Sequence, residues 1–125
     1  MLIAATTDCF RQLPFQDAVQ RIIDLEYTSV EIPIREGSQQ VTPAQVAADL
    51  EAAITICHNP GRLHVVAYSL ESLATGEEYF QQFEAICKMA RATRVISVTV
   101  ESGVLGTPFN EEVERLQQLV EIATT

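Results

Sequence analysis

The sequence is short of basic side chains, of paired cysteines and of long apolar runs, and each shortage excludes a class of protein. Eight Lys and Arg stand against 17 Asp and Glu in 125 residues, giving a net charge of −9. This charge argues against nucleic acid as a ligand, because phosphate backbones would be repelled. The three cysteines form no C-x-x-C pair, so neither a disulfide framework nor a zinc knuckle is indicated.

No apolar run approaches the roughly 18 residues that span a bilayer, so we expect no membrane segment. Residues 1–6 lack the basic segment that opens a signal peptide, which indicates a cytoplasmic protein. With 47% hydrophobic and 20% charged residues, the composition is that of a globular protein. No linker or low-complexity stretch interrupts it, and we expect one domain over residues 1–125.

Short β-branched runs alternate with stretches of helical period, and this alternation is the strongest pattern in the sequence. The predicted strands are residues 2–6, 29–34, 63–68 and 94–100. One helix is predicted after each strand, the second running unbroken to Cys57. Predicted helix starts are the capping boxes Thr42/Gln45 and Thr75/Glu78, and Asn110 as the cap of the last helix. The apolar stripe of that last helix is predicted to be Val113, Leu116, Val120 and Ala123.

The order β-α-β-α-β-α-β-α predicts an α/β fold with a parallel sheet and right-handed crossovers. Each unit is about 31 residues long, the same as in a (β/α)₈ barrel of roughly 250 residues. We therefore predict four consecutive βα units forming half of a TIM barrel. An open flavodoxin-like sheet is the alternative, but it needs central strands that are apolar on both faces. The mixed faces of residues 29–33 and 97–99 favour the half-barrel.

Half of a barrel leaves two strand edges and an inner face uncovered. We expect this inner face to be apolar, formed by Ala5, Val66, Val98 and Val100. Pairing of two halves would cover it. The sequence therefore predicts a homo-oligomer, with a dimer as the simplest form.

Two segments resemble the xylose isomerase-like TIM-barrel superfamily. Residues 25–32, Leu-Glu-Tyr-Thr-Ser-Val-Glu-Ile, are similar to the pattern that marks its second strand, and residues 83–98 are similar to its third helix and fourth strand. The resemblance covers the whole chain but only the N-terminal half of the family's barrel. The superfamily contains sugar (phosphate) isomerases and epimerases and the endonuclease IV-like enzymes of apurinic sites.

The resemblance implies a divalent metal in the complete barrel, held by two Glu, an Asp and a His. Those ligands lie on the family's strands five to eight, which this chain does not contain, so no metal ligand is predicted within it. Where the family often has His-Ser at the end of the third strand, this chain has Tyr68-Ser69. His58 and His64 fall at the opposite end of the strands and do not replace the missing ligands.

Chemistry in such folds lies beyond the carboxyl ends of the strands. Glu31 is the candidate catalytic acid, because Val30, Ile32 and Ile34 occupy the helix-facing positions and leave it on the inner face. A carboxylate paired with an arginine inside the barrel is the equally weighted alternative. The candidate substrate-binding residues are Asp8, Arg35, Tyr68, Ser69, Glu101 and Ser102. Asp8 as a turn residue, Arg35 as a solvated cation and residues 101–107 as a plain surface loop are the structural alternatives.

Two functions therefore stay open. The first is half of a divalent-metal-dependent sugar isomerase or epimerase, acting on a small sugar or sugar phosphate and inactive alone. The second is a non-enzymatic half-barrel that self-associates or binds a small metabolite. The endonuclease IV-like activity is disfavoured, since a net charge of −9 opposes DNA binding.

Overall fold

The computed structural model describes residues 3–125, in which strands and helices alternate along the chain. The strands are β1 (Ala5–Thr6), β2 (Ser29–Arg35), β3 (His64–Glu71) and β4 (Val98–Val100). The helices are α1 (Phe15–Asp24), α2 (Pro43–Ala48), α3 (Leu50–Cys57), α4 (Gly76–Thr93) and α5 (Phe109–Thr124). Short 3₁₀ turns cover Thr7–Phe10 and Pro60–Arg62. Leu2, in the first predicted strand, lies outside the described residues. No helix within residues 3–125 is long and apolar enough to cross a membrane.

The four strands form one parallel sheet in the order β1-β2-β3-β4. A sequential order with right-handed crossovers places every helix on the same side of the sheet. A flavodoxin-like sheet instead reverses its strand order to place helices on both sides. The order therefore confirms the α/β half-barrel of four βα units and rules out the open doubly wound sheet.

The core lies between the sheet and the helices. Val30, Ile32 and Ile34 of β2 are fully buried on the helix side, as their period of two predicts. Helix α1 buries Phe15, Ala18, Val19 and Ile22, and α4 contributes Ile86 and Met89. Most of the chain's apolar burial is thus on one side of the sheet, and the opposite, concave face has no helix over it.

A β-bulge decides which side chains of β3 reach the concave face. Val30 pairs with Val65, but Glu31 pairs with Ala67, so β3 carries one extra residue at this point. The bulge reverses the alternation that follows, and Tyr68 joins the helix side opposite Ile32. An unbroken period of two along β3 would place Tyr68 and the residues after it on the wrong face.

The predicted apolar inner face is consequently wrong. Ala5 lies opposite Val30, and Val98 and Val100 lie opposite Tyr68 and Leu70, so all three share the helix side and pack against the core. The pairs on the other side are Thr6 with Glu31, Glu31 with Ala67, Pro33 with Ser69, Arg35 with Glu71, and Ser69 with Thr99. Val66, the fourth residue of the predicted face, lies at the bulge and is half-buried. The concave face is mainly polar.

The helix starts agree with the sequence only in part. The Thr42/Gln45 capping box forms with both of its hydrogen bonds. The Thr75/Glu78 box does not form, because Thr75 makes no side-chain cap hydrogen bond. Asn110 lies inside α5, which begins at Phe109 after Pro108.

Two predicted element bounds are also wrong. The second helix is divided at Asp49, whose backbone is non-helical and whose carboxylate accepts from Ala52 N at 3.1 Å, capping α3. The fourth strand begins at Val98 and not at Arg94. Arg94 ends α4 in the left-handed conformation, and Val95 N donates back to Ala90 O at 2.8 Å.

Helix α5 is rotated relative to the prediction. It packs through Leu119 and Ile122, whereas Leu116 and Val120 of the predicted stripe are exposed, Val120 by 62%. An exposed apolar stripe on a terminal helix marks a surface that nothing in the described chain covers.

One pair of threonines tests the packing of the core. The Thr7 hydroxyl is buried with no hydrogen-bond partner within residues 3–125, whereas the Thr93 hydroxyl donates to Met89 O at 2.8 Å and lies 2.7 Å from the Tyr68 hydroxyl. T7V removes an unsatisfied group and is expected to raise the free energy of unfolding by about 1 kcal/mol. T93V is expected to lower it by about 1 to 3 kcal/mol, since it leaves the Tyr68 hydroxyl unsatisfied. Urea denaturation measures both, and equal losses would contradict the assignment.

Candidate functional site

Charged side chains meet at the carboxyl ends of three neighbouring strands. Asp8 lies in the 3₁₀ turn after β1, Arg35 ends β2 and Glu71 ends β3. Arg35 Nε donates to Glu71 Oε2 at 2.7 Å, and Arg35 Nη2 donates to Asp8 Oδ2. Arg11 adds a longer contact of 3.4 Å to the same Asp8 oxygen. The guanidinium therefore ties β1, β2 and β3 together at the mouth of the half-barrel.

The two carboxylates decide what Arg35 can do. Hydrogen bonds with Asp8 and then with Glu71 raise the pKa of the Arg35 guanidinium above its ordinary value. Much of its hydrogen-bonding fork is already engaged, so the group is a clamp between two acids and not an open phosphate site. Sequence reasoning placed Asp8 and Arg35 at this edge but missed Glu71, because the third strand was predicted to end at residue 68. The Leu70-Glu71 pair repeats the Ile34-Arg35 pattern and was the available signal.

Glu31 lies deeper on the concave face, in line with Thr6 and Ala67 and half-buried. Arg35 is four residues further along the same face, about 13 Å at the usual strand rise. None of the salt bridges within residues 3–125 involves Glu31, and Arg35 is paired with other acids. The arginine-paired alternative for Glu31 is not what the described residues form. A half-buried carboxylate of this kind needs water, a cation or a hydrogen-bonding ligand.

Tyr68 is not at the site. Its side chain is fully buried in the helix-side core, its hydroxyl bonds to Thr93, and burial raises the pKa of its phenol. The bulge at residues 66–67 is the reason, since it turns Tyr68 away from the concave face. Ser69, the next residue, does lie on that face, opposite Pro33 and Thr99.

Glu101 and Ser102 belong to a different place. They line a cleft of about 380 Å³ between the segments that follow β3 and β4 and the first turns of α4 and α5. Leu70, Tyr79, Phe80 and Arg115 also line it. Leu70 is a helix-side residue of β3, so the cleft opens beside the helices and not on the concave face. The structure thus separates the predicted binding residues into two groups.

An acid and an arginine of α5 hold the loop at this cleft. Gly103 N donates to Glu112 Oε1 at 2.9 Å, and Arg115 Nη2 donates to Glu101 O at 2.8 Å and to Glu112 Oε1 at 2.9 Å. A Cβ on Gly103 would lie 2.5 Å from Glu112 Oε2, so a larger residue here would displace that carboxylate from its present position. The Arg115 guanidinium also lies 5.5 Å from the centre of the Tyr79 ring.

The described residues do not by themselves match the divalent metal that the resemblance implies. Within residues 3–125, no three His, Cys, Asp or Glu side chains are grouped closely enough to hold an ion. His58 and His64 are both exposed, at the amino end of β3, away from the charged mouth. A divalent metal would depend on ligands from outside these residues.

Glu112 provides a pH test of the loop anchor. The hydrogen bonds from Arg115 and from Gly103 N lower the pKa of the Glu112 carboxyl. A lowered folded pKa means that the anchor stabilises the fold above the ordinary glutamate pKa of about 4.3 and is lost as the pH falls through the folded value. A ¹³C NMR titration should show Glu112 titrating below the ordinary range, and R115Q should raise that midpoint. A Glu112 midpoint at or above about 4.3 in the unsubstituted protein would contradict the geometry.

Comparison of the chain with models of protein families, with curated proteins and with solved structures found no match. The fold class therefore rests on strand order and register. A function can be proposed from the geometry of the concave face and of the charged mouth of the half-barrel.

Proposed function

We propose that the chain is the N-terminal half of a sugar isomerase- or epimerase-like barrel that binds a small sugar on its concave face and does not turn it over alone. The observation that carries the proposal is Glu31: a half-buried carboxylate, outside every salt bridge of the described residues, on the uncovered polar face of a half-barrel. Barrel enzymes carry out their chemistry at the carboxyl end of this interior, and Glu31 lies about 13 Å below that end, so a sugar has to enter the concave face to reach it.

The neighbours of Glu31 suit a polyhydroxyl ligand. A carboxylate accepts hydrogen bonds from sugar hydroxyls, and the hydroxyls of Thr6, Ser69 and Thr99 on the same face both donate and accept. Ala67 lies among them and offers apolar surface to the C–H groups of a ring, whereas Pro33, on the same face, is buried. Polar groups placed on a small apolar patch are the usual composition of a ligand site.

The charges favour a neutral sugar over a sugar phosphate. Three acids, Asp8, Glu31 and Glu71, lie with Arg35 at and below the mouth of the half-barrel. Arg35 is already paired with two of these acids, Asp8 and Glu71. A phosphate group entering this field would be repelled, and the net charge of −9 adds to the effect. Of the two ligand classes that the resemblance implies, the neutral one fits these residues better.

Glu31 is also the group on this face best suited to move a proton. Isomerisation or epimerisation beside a carbonyl removes the proton of the adjacent hydroxyl-bearing carbon, with the electron pair passing to the carbonyl as an enediolate, and a carboxylate within reach of that C–H serves as the base. Within the described residues no cation, His or second acid accompanies Glu31 at this depth of the concave face to polarise the carbonyl and return the proton. For this reason we expect binding without turnover from this chain alone.

The cleft beside α4 and α5 favours a second candidate, a non-enzymatic module that binds a small metabolite. It is concave, about 380 Å³ in volume, and combines Tyr79 and Phe80 with the Glu112–Arg115 pair. A ligand held there would lie outside the barrel interior and away from Glu31. The two candidates therefore differ in which amides a ligand perturbs.

Titration with neutral aldoses and ketoses, followed by amide NMR, distinguishes them. We expect perturbed amides on the concave face, around residues 6, 31, 69 and 99. E31Q removes a charge-assisted hydrogen bond, which is expected to weaken binding about tenfold or more. E84Q is the matched control, since Glu84 is exposed on α4 and pairs only with Lys88 in the described chain. Perturbations confined to residues 79 and 101–115 would favour the metabolite module, and no perturbation by any sugar would refute the proposal.

A further inference from the structure

We propose that a second copy of this chain supplies the other half of the barrel, with its β1 adding in parallel to the free edge of β4 and its Ile3 entering the groove along that edge. The inference rests on the proposal that the chain is half of a barrel, and it names the partner. Two copies together provide eight strands, the number that closes a barrel of this type.

The exposed surface is too large for a self-contained chain of this mass. The protein exposes 7937 Å², whereas a compact monomer of 13.8 kDa is expected to expose about 6,600 Å². The excess of about 1,300 Å² per chain exceeds the roughly 800 Å² that each partner buries in an interface of standard size. The surplus is therefore large enough for a stable dimer.

The free edge of β4 borders a groove of mixed polarity. The groove has a volume of about 620 Å³, and its lining combines Phe83, Ala90, Ile96 and Val98 with Arg91, Ser97 and Thr99. Ser97 O accepts from Tyr68 N at 3.1 Å, so the alternation of a parallel ladder turns the backbone N–H and C=O of Val98 toward the open side. Ile96 is 96% exposed. An added strand would meet both unpaired backbone groups and apolar side-chain space.

β1 of a second copy has the side-chain pattern that this groove requires. It is the other edge of the sheet. Ala5 faces the helix side, and Ile3, two residues earlier and 62% exposed, would face the same side once the added strand extends to residue 3. A parallel addition to β4 would place Ile3 over the groove and keep Thr6 on the polar concave face beside Thr99. Neither face would acquire a mismatched side chain.

Helix α5 and the partner's α1, which flank the two strand edges, also present apolar surfaces to each other. In the closed arrangement α5 comes to lie over the partner's β1, next to the partner's α1. The exposed apolar side chains of α5 include Phe109, Leu116 and Val120, and those between the end of α1 and β2 include Leu25 and Tyr27. A two-fold axis along the barrel makes each contact twice, so both edges and both apolar surfaces are covered and the assembly stops at two chains.

Each copy has a net charge of −9, and the repulsion between two copies makes the dissociation of the dimer depend on ionic strength. Added salt screens the repulsion between copies, while the apolar contacts are not weakened by it. The dimer should therefore dissociate less, not more, as the ionic strength rises from low values.

Light scattering behind size exclusion tests the interface. The unsubstituted chain is expected to have twice the mass of 13.8 kDa. I3E and V120E, one on each surface, are expected to be folded monomers by circular dichroism. I56E is the matched control, because Ile56 is exposed on α3 and takes no part in the proposed contacts. A monomeric unsubstituted chain, or a dimer that survives both I3E and V120E, would overturn the inference.

Mixing two variants tests the reciprocal geometry. I3K and V120E should each be monomeric, but their mixture should form a heterodimer in which one contact is unsubstituted and the other carries both substitutions, whose opposite charges attract across the interface. A mixture that stays monomeric, while the unsubstituted chain dimerises, would overturn this arrangement of the two copies.

Sugar binding, measured on the same samples, separates this inference from the proposed function. A dimer that binds no sugar leaves the interface standing and refutes the function. A monomer that binds sugar through Glu31 refutes the interface and leaves the function standing.

Discussion

Coverage of the sheet on one side only is the constraint on which the rest of the structure depends. Sequential parallel strands with right-handed crossovers place all helices on one face. That face takes the apolar side chains of β2, β3 and β4, and the other face is left to Thr6, Glu31, Ser69 and Thr99. The open edges at β1 and β4 follow from the same topology, since four units do not close a barrel. The proposed binding site and the proposed dimer interface both follow from a barrel that four βα units leave open.

The clamp at the mouth supports this open face. Arg35 between Asp8 and Glu71 joins three strands at their carboxyl ends, where helices give least support. Gln40 adds hydrogen bonds to the carbonyls of Thr7 and Phe10, fixing the turn that carries Asp8. Because these charges are occupied with each other, Glu31 is left as the acid available to a ligand. The clamp and Glu31 thus lie on the same face about 13 Å apart along β2, and only Glu31 is proposed to contact a ligand.

The fold was predictable from the sequence where local pattern decides the outcome. Periods of two and 3.6 identified the units, and Val30, Ile32 and Ile34 correctly placed Glu31 on the inner face. Features that depend on tertiary packing were not predictable from local pattern. A bulge near Val66 reversed the facing of Tyr68, and packing on α4 selected Leu119 over Leu116 on α5. Glu71 was missed because strand length depends on pairing with β2, which no local pattern shows.

The central claim is that this chain is half of a barrel and closes with a second copy. Small-angle X-ray scattering tests it directly, because closure fixes both mass and shape. A closed ring of two chains is expected to have a radius of gyration of about 18 Å, the value for a compact 250-residue domain. A radius of about 14 Å, that of a compact 125-residue monomer, or a dimer well above about 18 Å would contradict the account.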